Sequence, residues 1–210
     1  MDNAALNNAA GRHVALLGGS FDPPHLGHLA LAQAAITQTP AERVIFIPAS
    51  QSPLKPYQAQ ASVEQRLAMV TAAIGGDSRF LVSDWELLRQ GPSYSIDTVK
   101  AFRQQHPETV FYWILGGDQV RQLNQWQRIG ELSRLVRFIA YRRDSLPESP
   151  APGASSPSEA FPFTIHWLKG EPLPFSSSSI RAAIAAGNEP KGLPSAVADY
   201  IQSHFIYSHP

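Results

Sequence analysis

The sequence predicts a doubly wound α/β fold: a mostly parallel, Rossmann-like sheet with helices on both faces. Three observations carry that expectation. Short apolar, β-branched runs alternate with segments of helical period along the 210 residues. Several of those runs are apolar throughout, as strands covered on both faces require. The unusual residues, chiefly Gly, His, Pro and Ser clusters, recur just beyond the runs. In a parallel sheet they fall on one edge, where open α/β sheets bind ligands.

Taken in order, the expected strands are Val14–Leu17, Val44–Ile47, Phe80–Val82, Val110–Leu115, Phe138–Ala140 and Phe163–Trp167. An alanine-rich helical segment follows the first. A second helix opens at Ser62, where Ser62 and Gln65 fit a capping box and Val63, Leu67, Val70 and Ile74 form an apolar stripe. A third puts Ile96, Val99 and Phe102 on one face. Ile180, Ala183, Ile184 and the stop signal Gly187 mark a short helix from about Ser178. The segment Ser195–Phe205 carries Val197, Tyr200, Ile201 and Phe205 at helical spacing. Residues 145–160, rich in Pro, Ser and Ala, read as a mobile surface insertion. The length suits one domain over 1–210, with 1–11 expected to be disordered.

Lys plus Arg number 17 and Asp plus Glu 17, so the formal net charge is zero. Without a global basic field a general nucleic-acid binder is not expected, and any anion must be held by locally placed donors. No cysteine is present, which removes disulfides, thiolate metal sites and a cysteine nucleophile. The first residues lack the pattern of a secretory signal, and no apolar run reaches the length of a membrane span. The expected location is the cytoplasm, away from membranes.

Two loops concentrate the chemistry. Residues 18–28 read G-G-S-F-D-P-P-H-L-G-H. Gly18 and Gly19 would allow a tight turn and close ligand approach, and Pro23 and Pro24 stiffen the entry to a helix. His25 and His28, three apart, would point to the same side of its first turn, with Gly27 leaving an anion's path open. The pair reads as phosphate-handling, with metal ligands or structural histidines as alternatives; with no cysteine, zinc is poorly supplied and no metal site is assigned. The second loop is F-S-S-S-S-I-R, 175–181. Serine hydroxyls, free backbone N–H groups and Arg181 in the first helical turn would form a phosphate site; a serine-rich cap beside a solvated arginine is the alternative. G-x-G-x-x-G, the Walker P-loop and G-x-S-x-G are absent.

G-G-S-F-D-P-P-H-L-G-H resembles the signature of the H-x-G-H nucleotidyltransferase superfamily. F-S-S-S-S-I-R resembles its second motif, usually written I-S-S-T-x-I-R, with Phe175 for isoleucine and Ser178 for threonine. S-Y-S-I-D-T-V (93–99), I-L-G-G-D (114–118) and Leu123-x-x-Trp126 closely resemble the bacterial nicotinate-mononucleotide adenylyltransferases. The resemblance runs from about residue 12 to Tyr207. It implies a single nucleotidyltransferase domain that transfers AMP from ATP to nicotinate mononucleotide, releasing pyrophosphate and nicotinate adenine dinucleotide, with Mg²⁺ entering alongside ATP.

On that resemblance His25, His28 and Arg181 would be catalytic. Gly18, Gly19, Ser20, Phe21, Asp118, Ser177 and Ser178 would join them around ATP. Ser20 and Phe21 could be plain turn packing, and Asp118 a helix N-cap. Lys55, Ser93, Tyr94, Ser95, Trp126 and Arg142 would meet the mononucleotide. Either Arg142 or Arg143 would reach phosphate, Trp126 would stack on the pyridine ring, and the Tyr94–Ser95 helix start would receive the carboxylate. The alternatives are a solvated Lys55 and a core tryptophan at 126. Ser52-Pro-Leu-Lys55 stands where many members have Pro-Pro-His-Lys. The rivals are an adenylyl- or cytidylyltransferase with another acceptor, such as phosphopantetheine, and a non-catalytic nucleotide sensor.

Overall fold

The structure is a computed structural model that describes residues 13–53, 58–89, 91–141, 155–157, 164–170 and 173–208. The expectations for 1–11 and for most of 145–160 lie outside that range. The first half alternates β1 (His13–Gly19), α1 (Leu26–Gln38), β2 (Arg43–Pro48), α2 (Val63–Ile74), β3 (Phe80–Val82), α3 (Ser95–Gln105) and β4 (Val110–Leu115). After it come α4 (Gly117–Gln122), a 3₁₀ turn at Leu123–Gln125, α5 (Ile129–Leu135), β5 (Arg137–Tyr141), β6 (Ser155–Pro157), β7 (Thr164–Leu168), α6 (Ser177–Ala185) and α7 (Ser195–Ser203).

All strands join one sheet of order β3-β2-β1-β4-β5-β7-β6, and all neighbours are parallel except the edge strand β6. That edge strand comes from the segment read as an insertion: three of its residues pair antiparallel with β7. The connections from β1 run outward through β2 to β3, then return to β4 on the other side. The order therefore reverses between β1 and β4, the switch point at which such sheets open a crevice beyond the strand ends.

The continuous apolar runs have a simple cause. In β1, Val14 and Leu16 enter one core, under α3 and α5, while Ala15 and Leu17 enter the other, under α1. Both faces are covered, so neither set of side chains can be polar.

Helix α2 departs from the expected stripe. Its Ser62–Gln65 capping box forms, with Ser62 Oγ accepting from Gln65 N at 3.2 Å and Gln65 Oε1 accepting from Ser62 N at 2.8 Å. Its buried residues, however, are Arg66, Met69, Val70 and Ala73. The helix is covered on two flanks, Val70 facing the sheet core while Met69 and Ala73 meet Val197 and Ile201 of α7. Phe205 is a second departure: α7 ends at Ser203, the chain turns through φ +51° at Phe205, and that side chain is 74% exposed.

Candidate active site

A cleft of about 920 Å³ opens at the β1–β4 switch point. It is bordered by Gly18, Gly19, Ser20, Phe21, His25 and His28 on the first loop, by Ser93, Tyr94, Ser95 and Trp126 at one end, and by Ser177, Ser178 and Arg181 opposite. These expected site residues are thus gathered into one cavity. Lys55, Arg142 and Arg143 lie outside the described residues. Asp118 is the second residue of α4, whose cap is Gly116, so the N-cap alternative for Asp118 fails; its side chain is likewise outside the description.

The glycines act differently from expectation. Gly18 and Gly19 make no tight turn; they continue β1 in register with Ile47 and Pro48. What matters is the missing side chain. A Cβ on Gly18 would sit 2.8 Å from the Trp113 ring, and one on Gly19 would sit 3.2 Å from the Phe21 ring. The turn comes later, at Phe21, with φ +47°. Its ring is buried edge-on beneath His28, centroids 4.9 Å apart, and closes the floor of the cleft.

His25 is the N-cap of α1 and His28 its third residue, which brings both rings to one side as the spacing required. The rings stack with centroids 3.7 Å apart, and the His25 N–H donates to His28 Nδ1 at 3.1 Å. Burial lowers the His25 pKa from 6.5 to about 4, so its ring is neutral near pH 7. Its Nδ1 is buried and has no hydrogen-bond partner among the described residues. Gly27 leaves room for that ring, since a Cβ there would lie 2.9 Å from His25 Nδ1.

The opposite wall is α6, capped by Ser176, whose Oγ accepts from Ser179 N at 3.1 Å. Arg181 is the fifth residue of the helix, so it stands in the second turn rather than the first. Its guanidinium is held by Asp22: Nη1 donates to the Asp22 carbonyl at 2.6 Å and lies 3.6 Å from carboxylate Oδ2. Ser177 Oγ donates to the Pro23 carbonyl at 2.8 Å. The two sequence motifs are therefore directly bonded to each other across 154 to 159 residues of chain.

At the far end, Trp126 meets Trp113 edge to face, centroids 6.1 Å apart and planes at 89°. It stands at the end of the 3₁₀ turn rather than within a helix. Tyr94 is the N-cap of α3, and its own side chain makes no cap hydrogen bond. Ser93 Oγ accepts from Ser50 N at 3.0 Å, tying this end to the loop after β2.

Sequence reasoning missed Trp113, Glu86, Asp22, Arg66 and Tyr207. Trp113 sits inside an apolar strand, where nothing distinguishes it from core. Glu86 is buried and lines the cleft, accepting from Thr98 Oγ1 at 2.5 Å; burial raises its pKa, opposed by the hydrogen bonds from Thr98 and Ser93. Arg66 is 2% exposed and its Nη1 donates to the carbonyls of Ser20 (2.8 Å) and Ala49 (2.7 Å). A charged residue within the buried register of α2 was the available signal.

A model of the cytidylyltransferase-like family matches residues 16–183. The chain is 41% identical over 176 residues to a probable nicotinate-nucleotide adenylyltransferase of Shouchella clausii, covering 84% of this chain and 86% of the relative. It is 39% identical over 200 residues to one of a Synechococcus species, covering 95% and 96%. Among solved structures, the nicotinic acid mononucleotide adenylyltransferase of Plasmodium falciparum complexed with NaAD superposes with a TM-score of 0.75 at 19% identity, over 95% of this chain and 98% of that one, a likeness of fold. With a family match over most of its length and relatives of this identity along nearly all of it, the chain belongs to the cytidylyltransferase-like family, among its nicotinate-nucleotide adenylyltransferases.

Proposed function

We propose that this protein transfers AMP from ATP to nicotinate mononucleotide, yielding nicotinate adenine dinucleotide and pyrophosphate, a step of NAD synthesis. The observation that carries the reading is the meeting of the H-x-G-H loop and the α6 motif across one cleft whose far end holds Trp126 and the start of α3.

The acceptor's phosphate oxygen attacks the α-phosphorus, and the bond to the bridging oxygen of the β-phosphate breaks. The nucleophile is supplied by the substrate, so the residues position two polyanions and stabilise charge. His25 and His28 donate ring N–H groups to the triphosphate, the buried Nδ1 of His25, without a partner among the described residues, being a group that such an anion could satisfy. Ser177, Ser178 and Arg181 hold the outgoing pyrophosphate. Gly18, Gly19, Ser20 and Phe21 line the dinucleotide path, and Asp118 serves the adenosine ribose. Lys55 and Arg142 or Arg143 take the acceptor's phosphate, while Ser93, Tyr94, Ser95 and Trp126 take its base.

Mg²⁺ enters with ATP. Such an ion is carried mainly by phosphate oxygens and water and asks few protein ligands. Among the described residues no helix is long and apolar enough to cross a membrane; we place the enzyme in the cytoplasm, with its nucleotide substrates.

The test is pyrophosphate release with ATP or CTP against nicotinate mononucleotide, nicotinamide mononucleotide and phosphopantetheine. ATP with nicotinate mononucleotide should be the fastest pair. Faster release with CTP or phosphopantetheine would replace this reading by a sister transferase, and ATP binding without release would replace it by a sensor.

A further inference from the structure

Asp22 occupies an unusual position in the first loop. The residue is 4% exposed and does not border the cleft; it is the knot of a hydrogen-bonded network beside it. Oδ2 accepts from Gln60 N at 2.9 Å and faces Arg181 Nη1 at 3.6 Å. Oδ1 accepts from Ala61 N at 3.0 Å and from the hydroxyl of Tyr207 at 2.7 Å. Tyr207 is 7% exposed, lies 185 residues from Asp22, and is not among the residues bordering the cleft. It stands beyond the family-matched span, four residues past the end of α7.

Burying a phenol hydroxyl or a carboxylate costs free energy unless it is paired, and here Tyr207 and Asp22 each supply a partner to the other. The pairing has a mechanical consequence. Arg181 has one terminal nitrogen committed to the Asp22 carbonyl, and its buried Nε has no hydrogen-bond partner among the described residues. The direction in which the guanidinium faces the cleft therefore depends on where Asp22 is held. The amides of Gln60 and Ala61 and the hydroxyl of Tyr207 together hold it.

We propose that Tyr207 is a positioning residue for nucleotidyl transfer, acting through Asp22 to orient Arg181 toward the triphosphate. The proposal rests on the reading of Arg181 as a phosphate ligand. Burial and the hydrogen bond to Asp22 hold the phenol pKa far above its ordinary value, so the hydroxyl remains a donor across the working pH range.

The test is Tyr207→Phe, which removes one oxygen and keeps the ring. ATP affinity is measured by calorimetry without acceptor, and KM for the acceptor by steady-state kinetics, both well below the variant's melting temperature. Loss of a hydrogen bond to a charged group predicts about tenfold weaker ATP binding, with acceptor KM within about twofold. Combined with Arg181→Lys, the second substitution should add little, because both act on one guanidinium. ATP affinity within about twofold of the unmodified protein, or losses that add in full, would overturn the proposal. If Tyr207→Phe does not fold, Asp22→Asn tests the same link by the same two measurements, and unchanged ATP affinity there overturns it as well. Failure of the acceptor assignment is separately visible: the unmodified protein would bind ATP yet ignore nicotinate mononucleotide, and the ATP-affinity readout would still decide the role of Tyr207.

Discussion

The imidazoles of His25 and His28 lie face to face, 3.7 Å between centroids and 29° between planes, with the backbone N–H of His25 bonded to His28 Nδ1. The arrangement locks both rings to the first turn of α1. Neither can swing away without breaking the stack or uncapping the helix. Pre-set donors of this kind are effective because no reorganisation is needed as charge develops.

His28→Ala should lower turnover by about 10³-fold, and His25→Ala by a similar factor, since one preorganised donor to a transition state is worth about 3–4 kcal/mol. Circular dichroism and melting should show both variants folded. Near-normal kcat in either would remove that histidine from the phosphate-handling role.

The depressed pKa of His25 makes a second prediction. The ring is ordinarily protonated below about pH 6.5, but in the folded protein only below about 4. Between those values the unfolded chain binds more protons than the native one, so stability is present above 6.5 and is lost as pH falls toward 4. At pH 5 this group alone should cost about 2 kcal/mol relative to pH 7. Urea unfolding at the two pH values, repeated on His25→Asn, checks it. The variant should lack that part of the acid destabilisation, and an identical pH slope in both proteins would contradict the burial argument.

Much of this was legible because chemistry and architecture agree. The runs at 14–17, 44–47 and 110–115 could be read as buried parallel strands because their neighbouring residues feed opposite cores. The two motifs could be paired because a parallel sheet sends both loops to one edge. Tertiary geometry hid the rest. Nothing local says that Gly18 is needed by Trp113, 95 positions on, or that Tyr207 reaches Asp22. Val70 and Ile74 of the expected α2 stripe do face the sheet core, but periodicity reports one face, whereas that helix is covered on two flanks and also buries Arg66, Met69 and Ala73.

Arg66→Leu tests that buried arginine. It would remove the 2.7 Å donor of the buried Ala49 carbonyl and the 2.8 Å donor of the part-buried Ser20 carbonyl at the edge of the cleft. Each unsatisfied buried acceptor costs about 1–3 kcal/mol, partly offset by apolar burial of leucine, so a net loss of about 2–4 kcal/mol is expected. The measurement is urea unfolding at pH 7. A variant as stable as the parent would mean that water or a shifted loop satisfies both carbonyls.

Acceptor choice is the sharpest prediction, because it isolates one end of the cleft. Tyr94 caps α3 without a side-chain hydrogen bond, and since the Asp97 amide already donates to the Tyr94 carbonyl at 3.0 Å, the amides of Ser95 and Ile96 are the ones left to meet a ligand. A nicotinate carboxylate would accept from them at the positive end of the helix dipole. The amide presents an NH₂ to the same donors and leaves at least one unpaired. A lost charge-assisted bond plus an unsatisfied donor comes to about 2–4 kcal/mol. That predicts kcat/KM for nicotinate mononucleotide about 30- to 1000-fold above that for the nicotinamide form. Trp126→Ala should weaken both acceptors alike, since stacking on a pyridine ring does not depend on which group the ring carries. Equal kcat/KM for the two acceptors in the unmodified enzyme would refute the carboxylate assignment and leave adenylyl transfer itself untouched.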